Sequence, residues 1–323
     1  MVFSLRQIFT YVSVILILGG CPGNSNVELA KGFDKSPLRY PEKCTSFEFE
    51  VIPLRYNDLP HTGFSPALAE DTSFPKDIFG VSMVEVHGLR YYHPVDLLNR
   101  TLCYLDAFHR TSKDEYLEKA ESFLHRLLLE SVEFEGALFF PYKFDYRVNQ
   151  HEEGLLKGPW YSGMAQGLAL SALARAFAAT RDSIYYDYSC RVFKSIGRIQ
   201  GRNEPWVSFR DTSGCLWIEE YPLATPSRTM NGFIFAIFGV YDYFVMTSDS
   251  SAYEMLQQTL GTVRNYIPIF RRPGKPSYYG LRFGHFAANY HALHIKQLEH
   301  LYKMTQEPFF RNWADTFYSD YHN

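Results

Sequence analysis

One short join occurs four times in this chain: Thr111-Ser112-Lys113-Asp114, Thr180-Arg181-Asp182, Thr247-Ser248-Asp249 and Thr305-Gln306-Glu307. Each ends a stretch of apolar residues at helical spacing, and an aromatic follows within a few residues: Tyr116, Tyr185, Tyr253 or Phe309. A helix end, a threonine, a short polar link and an Asp or Ser cap describe a helix–turn–helix pair. Recurrence at intervals of 58 to 69 residues means stacked αα-hairpins. The expected fold is therefore mainly α, an α/α toroid of about four hairpins. Three long aromatic segments, about 132–160, 203–230 and 267–290, separate the pairs and are read as partly β loops. Short links occupy one end of every hairpin, so the long segments share the other end, the mouth. The first helix should open at His93-Pro94, since proline suits a first helical turn. The helical domain spans 94–323.

The residues before it divide into three. Arg6 precedes an apolar run, Tyr11 to Leu18, too short to span a bilayer, so 1–20 reads as a signal peptide. Leu18-Gly19-Gly20-Cys21 resembles a bacterial lipoprotein processing site, with Cys21 lipidated. Residues 21–45 then form a flexible tether, and the protein is expected to be exported and membrane-anchored, in a periplasm or at a cell surface. Residues 46–93 are an extended lead-in, with a strand signal at Phe47-Glu48-Phe49-Glu50-Val51. Of the four other cysteines, Cys103 and Cys190 sit in apolar helical patterns and are expected as free thiols. An exported protein could pair cysteines, and no CxxC spacing points to zinc.

A net charge of −3 gives no general attraction to nucleic acid. A polyanion would need a local basic cleft, for which Lys143, Arg147, Lys157, Arg228, Arg271, Arg272, Lys275 and Arg282 are available. The mouth segments carry the chemistry. Trp160 and Tyr161 lie on the loop side of Gly163-Met164-Ala165-Gln166-Gly167, either as a packed corner or as a sugar-stacking surface. Gln166 could donate to a sugar hydroxyl. In Glu219-Glu220-Tyr221-Pro222 the proline keeps Tyr221 extended. Neighbouring side chains on an extended segment diverge, so one of the two glutamates faces the cleft. Tyr279-Gly280-Leu281-Arg282 sets a phenol near a guanidinium, which can grip a carboxylate and favour a phenolate. Tyr290-His291 and His294 follow, without a third ligand at metal-site spacing.

Taken in order, the blocks from Pro159 to Gly167, Glu219 to Pro222, Asn231-Gly232-Phe233, Tyr279 to Arg282 and Tyr290 to Ile295 resemble the C-terminal domain of heparan sulfate/heparosan D-glucuronyl C5-epimerases. The resemblance covers roughly residues 80–320. It implies an α/α-toroid catalytic domain that epimerises glucuronate to iduronate within an anionic polysaccharide, without metal or other cofactor. It places Glu220, Tyr221, Tyr279 and Tyr290 on catalytic positions and Arg282 on the uronate carboxylate. Trp160, Tyr161, Gln166, Asn231 and His291 complete the expected substrate-binding set, and a homodimer stays open. Animal members carry large β-rich regions ahead of this domain, and Gly280 and Gly284-His285 depart from them. The residues suit the reaction: removing the C5 hydrogen builds charge on the carboxylate, which needs a cation, and inversion needs two proton-transfer groups. A polysaccharide lyase shares the first step. A glycoside hydrolase would need two carboxylates about 5 to 9.5 Å apart across the bond. A lipid-anchored polysaccharide-binding protein is the non-catalytic alternative.

Overall fold

The computed structural model of the protein describes residues 31–70 and 74–322. Among them, eight α-helices pair as four hairpins: α1 (Pro94–Thr111) with α2 (Asp114–Leu129), α3 (Gly163–Thr180) with α4 (Ser183–Ile196), α5 (Met230–Thr247) with α6 (Ser250–Phe270), and α7 (Ala288–Thr305) with α8 (Pro308–Asp320). The odd-numbered helices pack side by side in chain order, and the even-numbered ones lie outside them. This is the α/α-toroid arrangement. The inner helices α1, α3 and α5 are buried along most of their length, α5 without a break from Met230 to Tyr243, whereas α2 and α4 bury one stripe. Close packing of α3 on α5 depends on glycine. A methyl on Gly167 would overlap the Ala236 backbone, and one on Gly239 would overlap the Gly167 carbonyl.

The repeated join is one hydrogen-bonded device. Each threonine hydroxyl donates to the carbonyl four residues back (Ala107, Ala176, Tyr243 or Leu301) at 2.7–2.8 Å. The same oxygen accepts from the N–H two residues on (Lys113, Asp182, Asp249 or Glu307) at 3.1–3.4 Å. Between them one residue turns left-handed: Ser112, Arg181, Ser248 and Gln306, with φ of 52–62°. Asp182, Asp249 and Glu307 then cap the next helix with their carboxylates.

The lead-in crosses the short-link end, here the base, touching each inner helix in turn. Ile52 N donates to Met304 O of α7 at 2.8 Å. Tyr241 of α5 donates to Ile52 O and accepts from Leu54 N, both at 2.7 Å. Arg175 of α3 donates to the carbonyls of Pro60 and His61. Asp106 of α1 accepts from Gly63 N at 3.0 Å.

Two expectations about the N-terminal part are corrected. Phe47–Val51 is no strand: the Phe49 peptide donates to and accepts from the side-chain amide of Gln257 on α6, so its hydrogen bonds need no partner strand. Among the described residues of the lead-in, the strands are the Val84–Val86 and Leu89–Tyr91 hairpin. Nor are residues 31–45 a flexible tether. Lys31–Phe33 pairs antiparallel with His285–Ala287, Asp34 bonds Arg272, and Cys44 forms a disulfide with Cys215. Cys103 and Cys190 are free thiols. The expected signal peptide, the expected lipidation site Cys21 and residues 22–30 of the expected tether lie outside the described residues.

Candidate active site

Small two- and three-stranded sheets occupy the long segments at the mouth. Leu216–Ile218 pairs with Ser208–Arg210 and delivers Glu219-Glu220-Tyr221 to the gap between α3 and α5. Gly163 lets that strand come close: its N–H donates to Glu219 O at 2.8 Å, and a Cβ there would lie 2.6 Å from Ile218 Cγ2.

The two glutamates diverge. Glu219 turns back into the loop, accepting from Ser227 Oγ at 2.8 Å and Arg228 N at 3.0 Å, and so shapes residues 219–229. Glu220 lies over the first turn of α5, where unpaired helix N–H groups and the helix dipole favour a carboxylate. Gly232 N–H donates to it. A Cβ on Gly232 would sit 2.6 Å from Glu220 Cδ, which explains the glycine in Asn231-Gly232-Phe233.

Three phenols surround Glu220. Tyr279, on the strand Tyr278–Gly280, donates to Glu220 Oε1 at 3.3 Å and lies 3.0 Å from the Tyr221 hydroxyl. Tyr290, on the first turn of α7, packs its ring on Tyr279 at 4.3 Å between centroids. Glu220, Tyr221 and Tyr279 are buried, and Tyr290 is partly exposed. Burial pushes the Glu220 carboxyl up to about 8, with Glu219 adding to the rise, against hydrogen bonds from Tyr221, Tyr279 and Gly232 N–H. Burial, then the Glu220 charge, hold Tyr221 and Tyr279 well above the ordinary phenol range.

The four expected catalytic side chains are thus brought together; the supporting set is not as the sequence suggests. Gln166 is fully buried and its amide is spent on Phe140 N, Leu138 O and Ser195 Oγ, so it braces the first mouth segment and reaches no cleft. His291 is buried between Ser277 N and Phe317 O, at 2.9 and 2.8 Å, which fixes α7 against α8. Trp160 is a packed corner: it stacks on Tyr142 at 3.9 Å, donates to Phe144 O at 3.0 Å and backs Tyr221. Tyr161 packs on Phe134 and Phe139. Asn231 is buried beside Gly232, its carbonyl accepting from Gln297 at 2.9 Å.

Arg282 lies at the mouth with one amino group on Thr225 O and the other 3.1 Å from Glu153. It does not promote a phenolate at Tyr279, because burial and Glu220 dominate there. Tyr146 was missed by sequence reasoning. It packs on Tyr221 at 5.6 Å and on Trp160 at 5.9 Å. The alternation Tyr142-Lys143-Phe144-Asp145-Tyr146 was the available signal.

The fold and site define an α/α toroid carrying a buried glutamate–phenol cluster at its mouth. A family model described as the D-glucuronyl C5-epimerase C-terminus matches residues 135–319, more than half of the chain, and the chain belongs to that family. It is similar to a D-glucuronyl C5-epimerase of Caenorhabditis elegans, 26% identical over 183 residues. That match takes in 48% of this chain and 28% of the relative, so the chain spans under a third of the relative's length. Among solved structures it is similar to cellobiose 2-epimerase from Bacillus thermoamylovorans (TM-score 0.49, 13% identity, 76% of this chain and 66% of that one). A cellobiose 2-epimerase from Spirochaeta thermophila is similar too (TM-score 0.48, 12% identity, 82% and 65%).

Proposed function

We propose that this protein is a polysaccharide uronate C5-epimerase that converts D-glucuronate to L-iduronate residues within an anionic, heparosan-like polymer. The observation that carries this reading is the hydrogen-bonded set Glu220–Tyr279–Tyr221 with Tyr290 packed on it. Once ionised, a buried carboxyl raised to about 8 is a far better proton acceptor than an ordinary glutamate, and the ionised form gains population as pH rises towards 8. Tyr279 takes the C5 proton while passing its own to Glu220 along their 3.3 Å hydrogen bond. Charge grows on the uronate carboxylate as the C5–H bond breaks, and the Arg282 guanidinium offsets it. Tyr290, the most exposed of the three phenols, returns a proton on the opposite face, which inverts C5. The reaction moves protons without change of oxidation state, so the proposal includes no cofactor.

Export, with lipidation at Cys21 tethering the enzyme to a membrane, belongs to the same proposal. The Cys44–Cys215 disulfide supports an oxidising compartment. If Cys21→Ala leaves processing and membrane fractionation unchanged, the anchor is wrong.

The activity is tested by incubating the protein with heparosan in deuterated water and reading C5 by NMR and mass. Deuterium at C5 with iduronate formation is the expected result. Unsaturated uronate in the product would mean a lyase, and an unlabelled, unchanged polymer would leave only binding.

A further inference from the structure

The first long mouth segment reaches across to the last. Residues 148–154 make two short 3-10 turns, Val148–Gln150 and Glu152–Gly154. They hold their own shape: Arg147 donates to Glu152 O at 2.6 Å, and His151 Nδ1 accepts from Glu153 N at 3.3 Å. Asn149 and Gln150 both have left-handed backbone, with φ of 51° and 58°, a state that asparagine tolerates and that is unfavourable for glutamine. This compact turn docks on the last segment by stacking His151 on Phe283 at 4.3 Å and by setting Glu153 Oε2 3.1 Å from Arg282 Nη2. The ion pair is lopsided. Arg282 is anchored by Thr225 O and by its place over the Phe283 ring at 4.8 Å, and its side chain is 17% exposed. Glu153 is 70% exposed.

We infer that Glu153 is a resident stand-in for the substrate's carboxylate: it occupies Arg282, and a uronate docks by displacing it and lifting the 148–154 turn. The inference rests on the proposed role of Arg282 in holding the uronate. An exposed ion pair is weak, so an anionic sugar can replace Glu153 at small cost, whereas a neutral sugar leaves the pair intact. The turn would thereby favour uronates over neutral residues of similar shape.

The test is calorimetric binding of a heparosan oligosaccharide to wild type, Glu153→Gln, Glu153→Asp, Arg282→Ala and the Glu153→Gln/Arg282→Ala double variant. Hydrogen exchange over 148–154 is followed with and without the sugar. Glu153 is exposed, so its variants should keep the fold. Glu153→Gln should bind about 2- to 5-fold tighter, the range an exposed pair allows. Glu153→Asp keeps the charge but is one methylene too short to reach Arg282, and should resemble Glu153→Gln. The gain should vanish when Arg282 is absent. Exchange over 148–154 should rise when the sugar binds. A Glu153→Asp protein that behaves as wild type, or a gain that persists without Arg282, would mean diffuse charge repulsion and overturn the inference. Arg282→Ala binding as tightly as wild type would instead sink the carboxylate role of Arg282. Weakened Arg282→Ala with an unresponsive Glu153→Gln would sink only the role of Glu153.

Discussion

Two sites in the toroid, one at its base and one at its mouth, bury acidic groups in opposite ways. At the base, Asp106 bonds Arg110 at 3.0 Å and accepts from Gly63 N. Arg175 lies 3.7 Å from Asp242 and donates to two lead-in carbonyls. Charge there is answered by countercharge and by peptide groups. At the mouth, Glu220 is held by phenols and a helix N–H and, among the described residues, enters no ion pair. A buried carboxylate without a cation destabilises the fold, and the same lack raises its proton affinity into a useful range. The pairs at the base serve stability; the Glu220 site gives some up for chemistry.

That contrast can be broken by mutation. Arg175→Ala should cost about 3–5 kcal/mol in chemical denaturation, because Asp242 would be left uncompensated and the lead-in would lose its anchor on α3. The protein that stays folded should keep its turnover per molecule. A cost under about 1 kcal/mol would show that the base charges are solvated rather than structural.

A smaller effect is read from pH. The folded-state value of Glu220, about 8, lies above its ordinary 4.5, so protonation favours the folded state. Its contribution is complete below about pH 4.5 and is lost as pH rises through about 8. Glu220→Gln should therefore match wild type in stability near pH 4.5 and exceed it progressively up to about pH 8, by a few kcal/mol at most. A stability difference that does not change over this window would contradict the environment described for Glu220.

Smaller again is Gly232→Ala, which should cost about 1–3 kcal/mol as an overpacked site. It should lower turnover more than it lowers stability, since the new methyl would push the Glu220 carboxylate away from Tyr279. Stability loss with normal turnover would show that Glu220 tolerates displacement.

What the sequence revealed follows from how local each signal is. The four joins were legible because the threonine, the left-handed residue and, in three of them, the acidic cap lie within four positions of one another; at the first join Lys113 stands at the cap position without a side-chain bond. Glu220, Tyr279 and Tyr290 were legible as blocks in mouth segments, and the divergence of Glu219 from Glu220 followed from strand geometry. Gln166 and His291 were misread because a polar residue on an inner helix looks the same whether it meets a ligand or a neighbouring backbone. Only the fold shows that Leu138 O and Phe317 O take their hydrogens. The lead-in was hardest. Its peptides bond to Gln257, Tyr241, Arg175 and Asp106, all distant in sequence, so neither periodicity nor turn chemistry reports its path.

The measurement that bears most directly on the glutamate–phenol cluster is C5 deuterium incorporation by Glu220→Gln and Tyr290→Phe, run beside denaturation of the same samples at pH 8. Loss of one proton-transfer group typically costs 10²- to 10⁴-fold in rate. The expected result is a loss of that size in both variants, with heparosan binding retained and Glu220→Gln at least as stable as wild type. Wild-type exchange rates in both variants, on a polymer that the wild type epimerises, would remove the cluster from the chemistry.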